Sequence, residues 1–350
     1  LTNIDGLPLG FKATGRSLTL QAVRVLHVVE RDGRFAAELR EAPDPVPAAG
    51  EVVVRVAASG LNRADLSQIA GRYPPPPGES PILGLEVSGH IVGTGEPVCA
   101  LLGGGGHAEV VAVPTGQILP SPAGLDLVSA AAIPEAFLTA YVNLVVEADL
   151  RAGQRVLIHA GASGVGLAAI QVAKLVGAHV AATTRTPEKR AALAAAGADL
   201  ALGAADDRAL VEVGQQWGRD AVDVILDPIG GATLAADLGV LATGGRIVVI
   251  ATLGGARPEI DLALLMRKRG RLIGSTLRAR SRVEKAGLIA RFREECLPAF
   301  AAGRLRVNVD TIFAPEQAAQ AFQRMSENRT VGKLLIAWND PLRAVPAALS

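Results

Sequence analysis

One stretch, Arg155 to Gly177, constrains the fold more than any other: "RVLIHAGASGVGLAAIQVAKLVG". An apolar run of strand type enters a turn carrying Gly161, Ser163, Gly164 and Gly166. Leu167, Ile170, Val172 and Leu175 then supply the apolar positions of a helix ending at Gly177. Glycines in such a turn let backbone amides approach a pyrophosphate, which the positive end of the helix favours. A glycine trio alone is weak evidence, because any tight strand-to-helix turn uses glycine. Here a strand precedes, a helix follows and a second strand arrives at the right distance, so the segment is read as a dinucleotide-binding unit.

The second strand decides which dinucleotide. NAD sites place an acidic residue at its end to hold the ribose 2′-hydroxyl. This strand ends "AATTRTPEKR": Thr183, Thr184 and Arg185 stand there without a carboxylate, and Lys189 lies one helical turn on. Arg suits a 2′-phosphate through paired hydrogen bonds, so NADPH is expected over NADH. A plainer reading has Thr186 capping the next helix, Pro187 at its first position, and Arg185 and Lys189 solvated. The two readings are compatible.

The runs "RVLIHAG", "HVAATT", "VDVILD" and "GGRIVVIAT" alternate with Ala-rich periodic stretches. Strands covered by helices on both faces read as continuous apolar runs, so this is a parallel α/β unit. From Ala22 to Thr115 the pattern differs: short Val-rich runs such as "VRVLHVV" and "EVVVRVAA" are broken by "YPPPPGESP" and "LLGGGGH". That predicts an irregular, β-rich unit. After "RGRLIGSTL" the chain turns charged and helical, then ends in the strand-like "VGKLLIAW". A sheet domain inserted between two parts of another fits this order, and 350 residues suffice for two cores.

Charged residues make up 20% and nearly cancel at +1, which argues against nucleic acid as the main partner and for a small molecule. Cys99 and Cys296 belong to no CxxC or Cys/His pair, so neither a disulfide framework nor a structural zinc is expected. The most apolar segment, "VSAAAIPEAFLTAYVNLVV", is interrupted by Pro134 and Glu135 and does not read as a membrane span. With no charged-then-apolar leader either, a soluble cytoplasmic protein is expected.

The segments "AASGLNRADL", "GRYPPPPGESPILGLEVSGHIVG", "AAAIPEAFLTAY", "LIHAGASGVGLAAIQ", "ILDPIGG" and "NRTVGKLLI" resemble the zinc-independent quinone oxidoreductases of the medium-chain dehydrogenase/reductase superfamily. The likeness runs from about Ala22 to Ala337, and "AAAIPEA" with "HAGASGVG" is similar to the p53-inducible type within that family. The resemblance implies an α/β fold. A GroES-like β-rich catalytic domain (22–136 and 279–341) would hold a Rossmann-type doubly wound parallel-sheet domain binding NADPH (137–278). Residues 1–21 are read as an N-terminal extension and 342–350 as a tail.

In the zinc-dependent relatives, the stretch matching "GLNRADL" carries a metal-binding cysteine, and the one matching "ILGLEVSG" a histidine before its glutamate. This chain has Asn62 and Leu85 there, with Glu86 retained, so no metal is expected. Without a Lewis acid, hydride is best given to an acceptor that is already electrophilic, such as a quinone or an enone. By resemblance, Asn62 and Tyr73 line the substrate side and Thr139 touches the nicotinamide region. The plainer roles are a turn for Asn62 and packing on Pro74–Pro77 for Tyr73. The resemblance also implies Ser163, Gly164 and Val165 at the pyrophosphate, and Thr184, Arg185 and Lys189 at the 2′-phosphate. Backbone from Ala251 to Leu253 and Lys333 complete the implied cofactor contacts. Two departures stand out: Ala204 replaces a tyrosine near the adenosine, and the loop at Thr94–Pro97 is shortened.

Three functions are compatible with these features: an NADPH-dependent quinone reductase, an enoyl reductase for α,β-unsaturated thioesters or ketones, and a low-turnover NADPH-binding structural or regulatory protein. Five histidines lack ligand spacing, His107 being the one that merits testing, and Glu86 is expected to pair with Arg63 or another base. "RKRGR" and "RARSRVEK" read as solvated faces. A homodimer, or a tetramer built from dimers, is expected through "GGRIVVIAT" and "GRLIGSTL".

Overall fold

The computed structural model describes residues 22–31, 34–203 and 207–338. The extension at 1–21, the tail at 342–350 and Ala204 lie outside the described residues. Strands β1 (Ala22–Arg31) and β2 (Arg34–Pro43) form an antiparallel pair. Next come β3 (Glu51–Gly60), β4 (Glu86–Ile91), β5 (Pro97–Leu101), β6 (Val110–Pro114) and β7 (Ile118–Pro120). The apolar runs of the middle become β8 (Arg155–Ile158), β9 (His179–Thr183), β10 (Leu200–Leu202), β11 (Val222–Asp227), β12 (Leu241–Val249) and β13 (Arg271–Gly274). The chain closes with β14 (Val309–Phe313) and β15 (Lys333–Ala337).

Strands β8 to β13 make a wholly parallel six-stranded sheet of order β10-β9-β8-β11-β12-β13. This is the doubly wound order, and its direction reverses between β8 and β11, so both strands point their carboxyl ends at one crevice. The last two strands return to the first part of the chain, giving a seven-stranded sheet of order β14-β15-β3-β4-β5-β7 with β6 also paired to β3. Register explains the return: Leu335, Ile336 and Ala337 face Gly60, Ser59 and Ala58.

The helix Gly164–Val176 leaves the β8 turn and lays Leu167, Ile170 and Ala173 into the largest apolar cluster. Gly177 ends it at φ 91°, a left-handed conformation glycine takes without Cβ strain. The helix Pro134–Tyr141 packs on it, and Tyr141 meets Phe292 of the helix Arg282–Glu295 edge to face. One core therefore draws on segments from before, within and after the parallel unit.

One sequence expectation is corrected here. "GGRIVVIAT" is not a free edge: β12 is paired on both sides, by β11 and β13. Of the two runs, the one holding β13, "GRLIGSTL", lies at a rim of the sheet, with Leu272 41% exposed. The shortened loop at Thr94–Pro97 closes as a tight turn. Ile91 donates its N–H to the Glu96 carbonyl at 3.0 Å and Gly95 donates to Ile91 at 2.9 Å. No helix among the described residues is long and apolar enough to cross a membrane.

Candidate functional site: a crevice between two sheets

The glycine turn after β8 is held from both sides. Gly161 donates its N–H to the Thr183 carbonyl of β9 at 2.7 Å, and Ser163 caps the helix, its Oγ accepting from the Gly166 amide at 3.0 Å. The amides of Gly164 and Val165 belong to the first helical turn, where no intrahelical acceptor exists. They are the donors such a turn offers to an anion. Two glycines are required by close approach. A Cβ on Gly166 would lie 2.5 Å from the Ala160 carbonyl oxygen, and one on Gly164 would lie 2.5 Å from Cδ of Lys333.

Lys333 is where the structure departs most from a cofactor-binding role for its charge. The side chain is 6% exposed, and Nζ donates to the Leu61 carbonyl at 2.7 Å and Asn62 Oδ1 at 2.7 Å, and pairs with Glu86 Oε1 at 2.5 Å. All three ammonium protons have an internal acceptor, so Lys333 supports the turn with its aliphatic stem. Asn62 Nδ2 donates to Glu86 Oε1 at 2.9 Å and to the Gly60 carbonyl at 3.2 Å, which commits both ends of its amide. Glu86 is fully buried, and its partner is Lys333, not Arg63. Its second oxygen accepts the Glu135 amide at 2.8 Å.

Arg63 goes elsewhere. It lies in the helix Arg63–Ile69, and its guanidinium donates to the Met325 carbonyl at 3.1 Å and to Asn328 Oδ1. Lys189 reaches the same loop, donating to the Asn328 and Thr330 carbonyls at 2.6 and 2.8 Å. Burial and then exposed Arg185 hold Arg63 below the usual arginine range. Burial, Arg185, Arg324 and Arg63 together outweigh Asp310 and hold Lys189 below the usual lysine range. Asp310 is itself bound by Arg324 at 2.8 Å. Arg63 and Lys189 thus meet at the Asn328 loop, and the charge of Arg185, just past the end of β9, acts on both. Thr184 is buried beside them, its N–H shared between the Leu202 and Gly203 carbonyls. The oxygen of Thr186 makes no capping bond to the turn Pro187–Lys189, although Pro187 does occupy its first position.

Across the crevice, the loops after β11 and β12 interlock: Gly254 donates to the Ile229 carbonyl at 2.7 Å and Gly231 to Gly255 at 2.8 Å. Ala251 is half-buried there, and Leu253 is 57% exposed. Thr139 is buried on the helix Pro134–Tyr141, and its carbonyl accepts from Asn143 Nδ2 at 2.7 Å. Half-buried Tyr73 has the Arg278 guanidinium over its ring at 5.1 Å, while its hydroxyl has no hydrogen-bond partner among the described residues. Burial and Glu135 raise the Tyr73 hydroxyl above its usual range against the pull of Arg278, so it remains a donor at neutral pH.

The donors at the place where zinc-dependent relatives hold metal do not suit zinc. Leu85 is apolar and 1% exposed, and the Asn62 and Glu86 oxygens already accept from Lys333. Among the described residues, no three His, Cys, Asp or Glu side chains are grouped to hold a metal ion. His107 is fully buried against Ser59, with Nδ1 2.7 Å from Oγ, and lies edge-on to Phe322. Its imidazole lies in the interior against β3 of the seven-stranded sheet.

Comparison with known proteins follows this division. Residues 48–123 match the alcohol dehydrogenase GroES-like domain and residues 164–292 match the zinc-binding dehydrogenase domain. The crystal structure of the quinone oxidoreductase from Thermus thermophilus is 34% identical, covers 90% of this chain and 99% of its own, and superposes with a TM-score of 0.77. The chain belongs to the zinc-independent quinone oxidoreductase family of the medium-chain dehydrogenase/reductase superfamily. This quinone oxidoreductase relative is also 35% identical over 329 residues to the spectinabilin polyketide synthase system protein NorB of Streptomyces orinoci. That match takes in 89% of this chain but only 14% of NorB. The structure of the CurK enoyl reductase is 27% identical, covers 90% and 99% of the two chains, and gives a TM-score of 0.77. The family's nicotinamide dinucleotide fits the residues present, since the close-approach glycines and the free amides of the helix start lie at the head of the crevice.

Proposed function

We propose that this chain is an NADPH-dependent, metal-free reductase of quinones or similarly activated carbonyl compounds. The observation that carries the reading is the meeting of Arg63 and Lys189 at the Asn328 loop, with Arg185 just past the end of β9. A ribose 2′-phosphate is the group whose charge answers that cluster. When bound, the cofactor supplies the hydride. The amides of Gly164 and Val165 hold the pyrophosphate, with Gly161, Ser163 and Gly166 shaping the turn, and backbone at Ala251 and Leu253 borders the crevice. Thr139 faces the nicotinamide end. Asn62 and Lys333 hold Glu86 in place of a metal, and the Tyr73 hydroxyl donates to oxyanion charge developing on the acceptor.

Enoyl reduction stays the second reading, favoured by the likeness to the CurK enoyl reductase. A cytoplasmic homodimer joined along β13 is part of the first reading, with the mass in solution as its check. The cofactor assignment has its own test. Arg185→Ala weakens NADPH binding by roughly tenfold or more, about 1.4 kcal/mol, and leaves NADH little changed. Equal losses for both, read by fluorescence titration, would remove the 2′-phosphate from Arg185.

A further inference from the structure

Two ionisable side chains at the crevice are spent on nothing structural. Glu135 stands second in the helix Pro134–Tyr141, and its carboxyl forms no hydrogen bond or ion pair among the described residues although it is half-buried. Its surroundings locate it. The Glu135 amide is bound by Glu86, which in turn holds Asn62. Thr139 follows four residues later, on the same face of the helix. Glu135 also acts on the Tyr73 hydroxyl. The three side chains expected at substrate and nicotinamide therefore bracket Glu135. Lys285, in the first turns of the helix Arg282–Glu295, is 1% exposed, and its ammonium has no hydrogen bond and no ion pair among the described residues. The carboxylates that act on it are Glu79 and Glu135, opposed by Arg278 and Arg282.

We propose that Glu135, with Lys285 beside it, is the acid that protonates the reduced acceptor. The proposal rests on the reductase reading. Reduction adds one hydride, carried by the reduced nicotinamide, and one proton. As the new C–H bond forms at the acceptor's electrophilic carbon, the π pair moves to the acceptor oxygen. The O–H bond of Glu135 breaks, its proton joins that oxygen, and its electron pair stays on the carboxylate. Lys285 and Lys333 steady the carboxylate until water returns a proton. Burial, then Glu86 and Asp65, opposed by Lys333 and Lys285, push the Glu135 carboxyl up to about 8, so it carries its proton at neutral pH. The Glu135 charge also acts on Arg278, whose guanidinium is bound to the Gly103 and Tyr73 carbonyls and Gln68.

The test is the pH profile of quinone-dependent NADPH oxidation, with apo-protein melting as a second readout. In the wild type, kcat falls as pH rises through about 8. Glu135→Gln loses that limb, lowers kcat by roughly 100-fold or more, and binds NADPH unchanged. Glu135→Asp restores part of the rate, and Lys285→Met moves the limb to higher pH because an opposing cation is gone. In apo protein the folded carboxyl binds its proton more tightly than the unfolded one. Wild-type stability therefore falls relative to Glu135→Gln as pH rises from the ordinary value of 4.5 to about 8, and the gap is constant above. An undiminished kcat with the limb intact in Glu135→Gln, or a pH-independent melting gap, overturns the assignment. A wild type that binds NADPH but transfers its hydride to none of the quinones overturns the reductase reading and this proposal with it. Loss confined to Glu135→Gln leaves both standing.

Discussion

Lys333→Met unfolds at lower denaturant than the wild type, with a loss of about 3–5 kcal/mol. The size follows from what is left behind. Glu86 is fully buried and Lys333 is the cation paired with it, at 2.5 Å, so removing the ammonium strands a carboxylate in the interior. The Leu61 carbonyl and Asn62 Oδ1 lose their donors in the same step. Methionine keeps most of the stem that lies against Gly164, so packing contributes little to the loss. The double variant Glu86→Gln/Lys333→Met recovers most of the stability, because no bare charge remains to be desolvated. A loss under about 1 kcal/mol in the single variant would mean the pair behaves as an exposed one.

Gly166→Ala is expected to damage the cofactor site more than any other single methyl group. The new carbon would lie 2.5 and 2.6 Å from the carbonyl oxygens of Ala160 and Gly161, which are backbone atoms and cannot rotate aside. The helix Gly164–Val176 has to move off the turn, and the amides of its first turn move with it. Overpacking of this kind costs about 1–3 kcal/mol of stability. Dinucleotide affinity drops at least about tenfold, which corresponds to about 1.4 kcal/mol of binding. Gly239→Ala is the control, since nothing lies within 4 Å of its added methyl. Equal cofactor binding in the two variants, by titration calorimetry, would show that the turn tolerates the shift.

The parallel sheet and its glycine turn were legible because their information is local. A strand covered on both faces must be apolar throughout, and the turn must carry glycine where backbone passes within van der Waals contact. The pairings between strands of the seven-stranded sheet had no such local signature. Glu86 meets Lys333 only because β15 returns beside β3, and strand order within a sheet leaves no periodic trace. For the same reason the sequence left open whether Arg63 or another base meets Glu86; the base is Lys333, and Arg63 joins Lys189 at the Asn328 loop. The β12 run reads as apolar whether it is central or at the rim, which is why its candidacy as a dimer edge failed. Glu135 was visible in "AAAIPEAFLTAY" and Lys285 in "RARSRVEK", but a basic run in sequence looks the same whether a lysine is solvated or 1% exposed.

The most direct measurement is NADPH oxidation, followed by absorbance, against 1,2- and 1,4-quinones beside a crotonyl thioester and a medium-chain enone, each with and without a strong chelator. The account predicts turnover with quinones that the chelator leaves unchanged. Turnover confined to the thioester or enone would move the protein to the enoyl reductases. Tight NADPH binding without oxidation, or activity lost to the chelator and restored by zinc, would contradict a metal-free reductase.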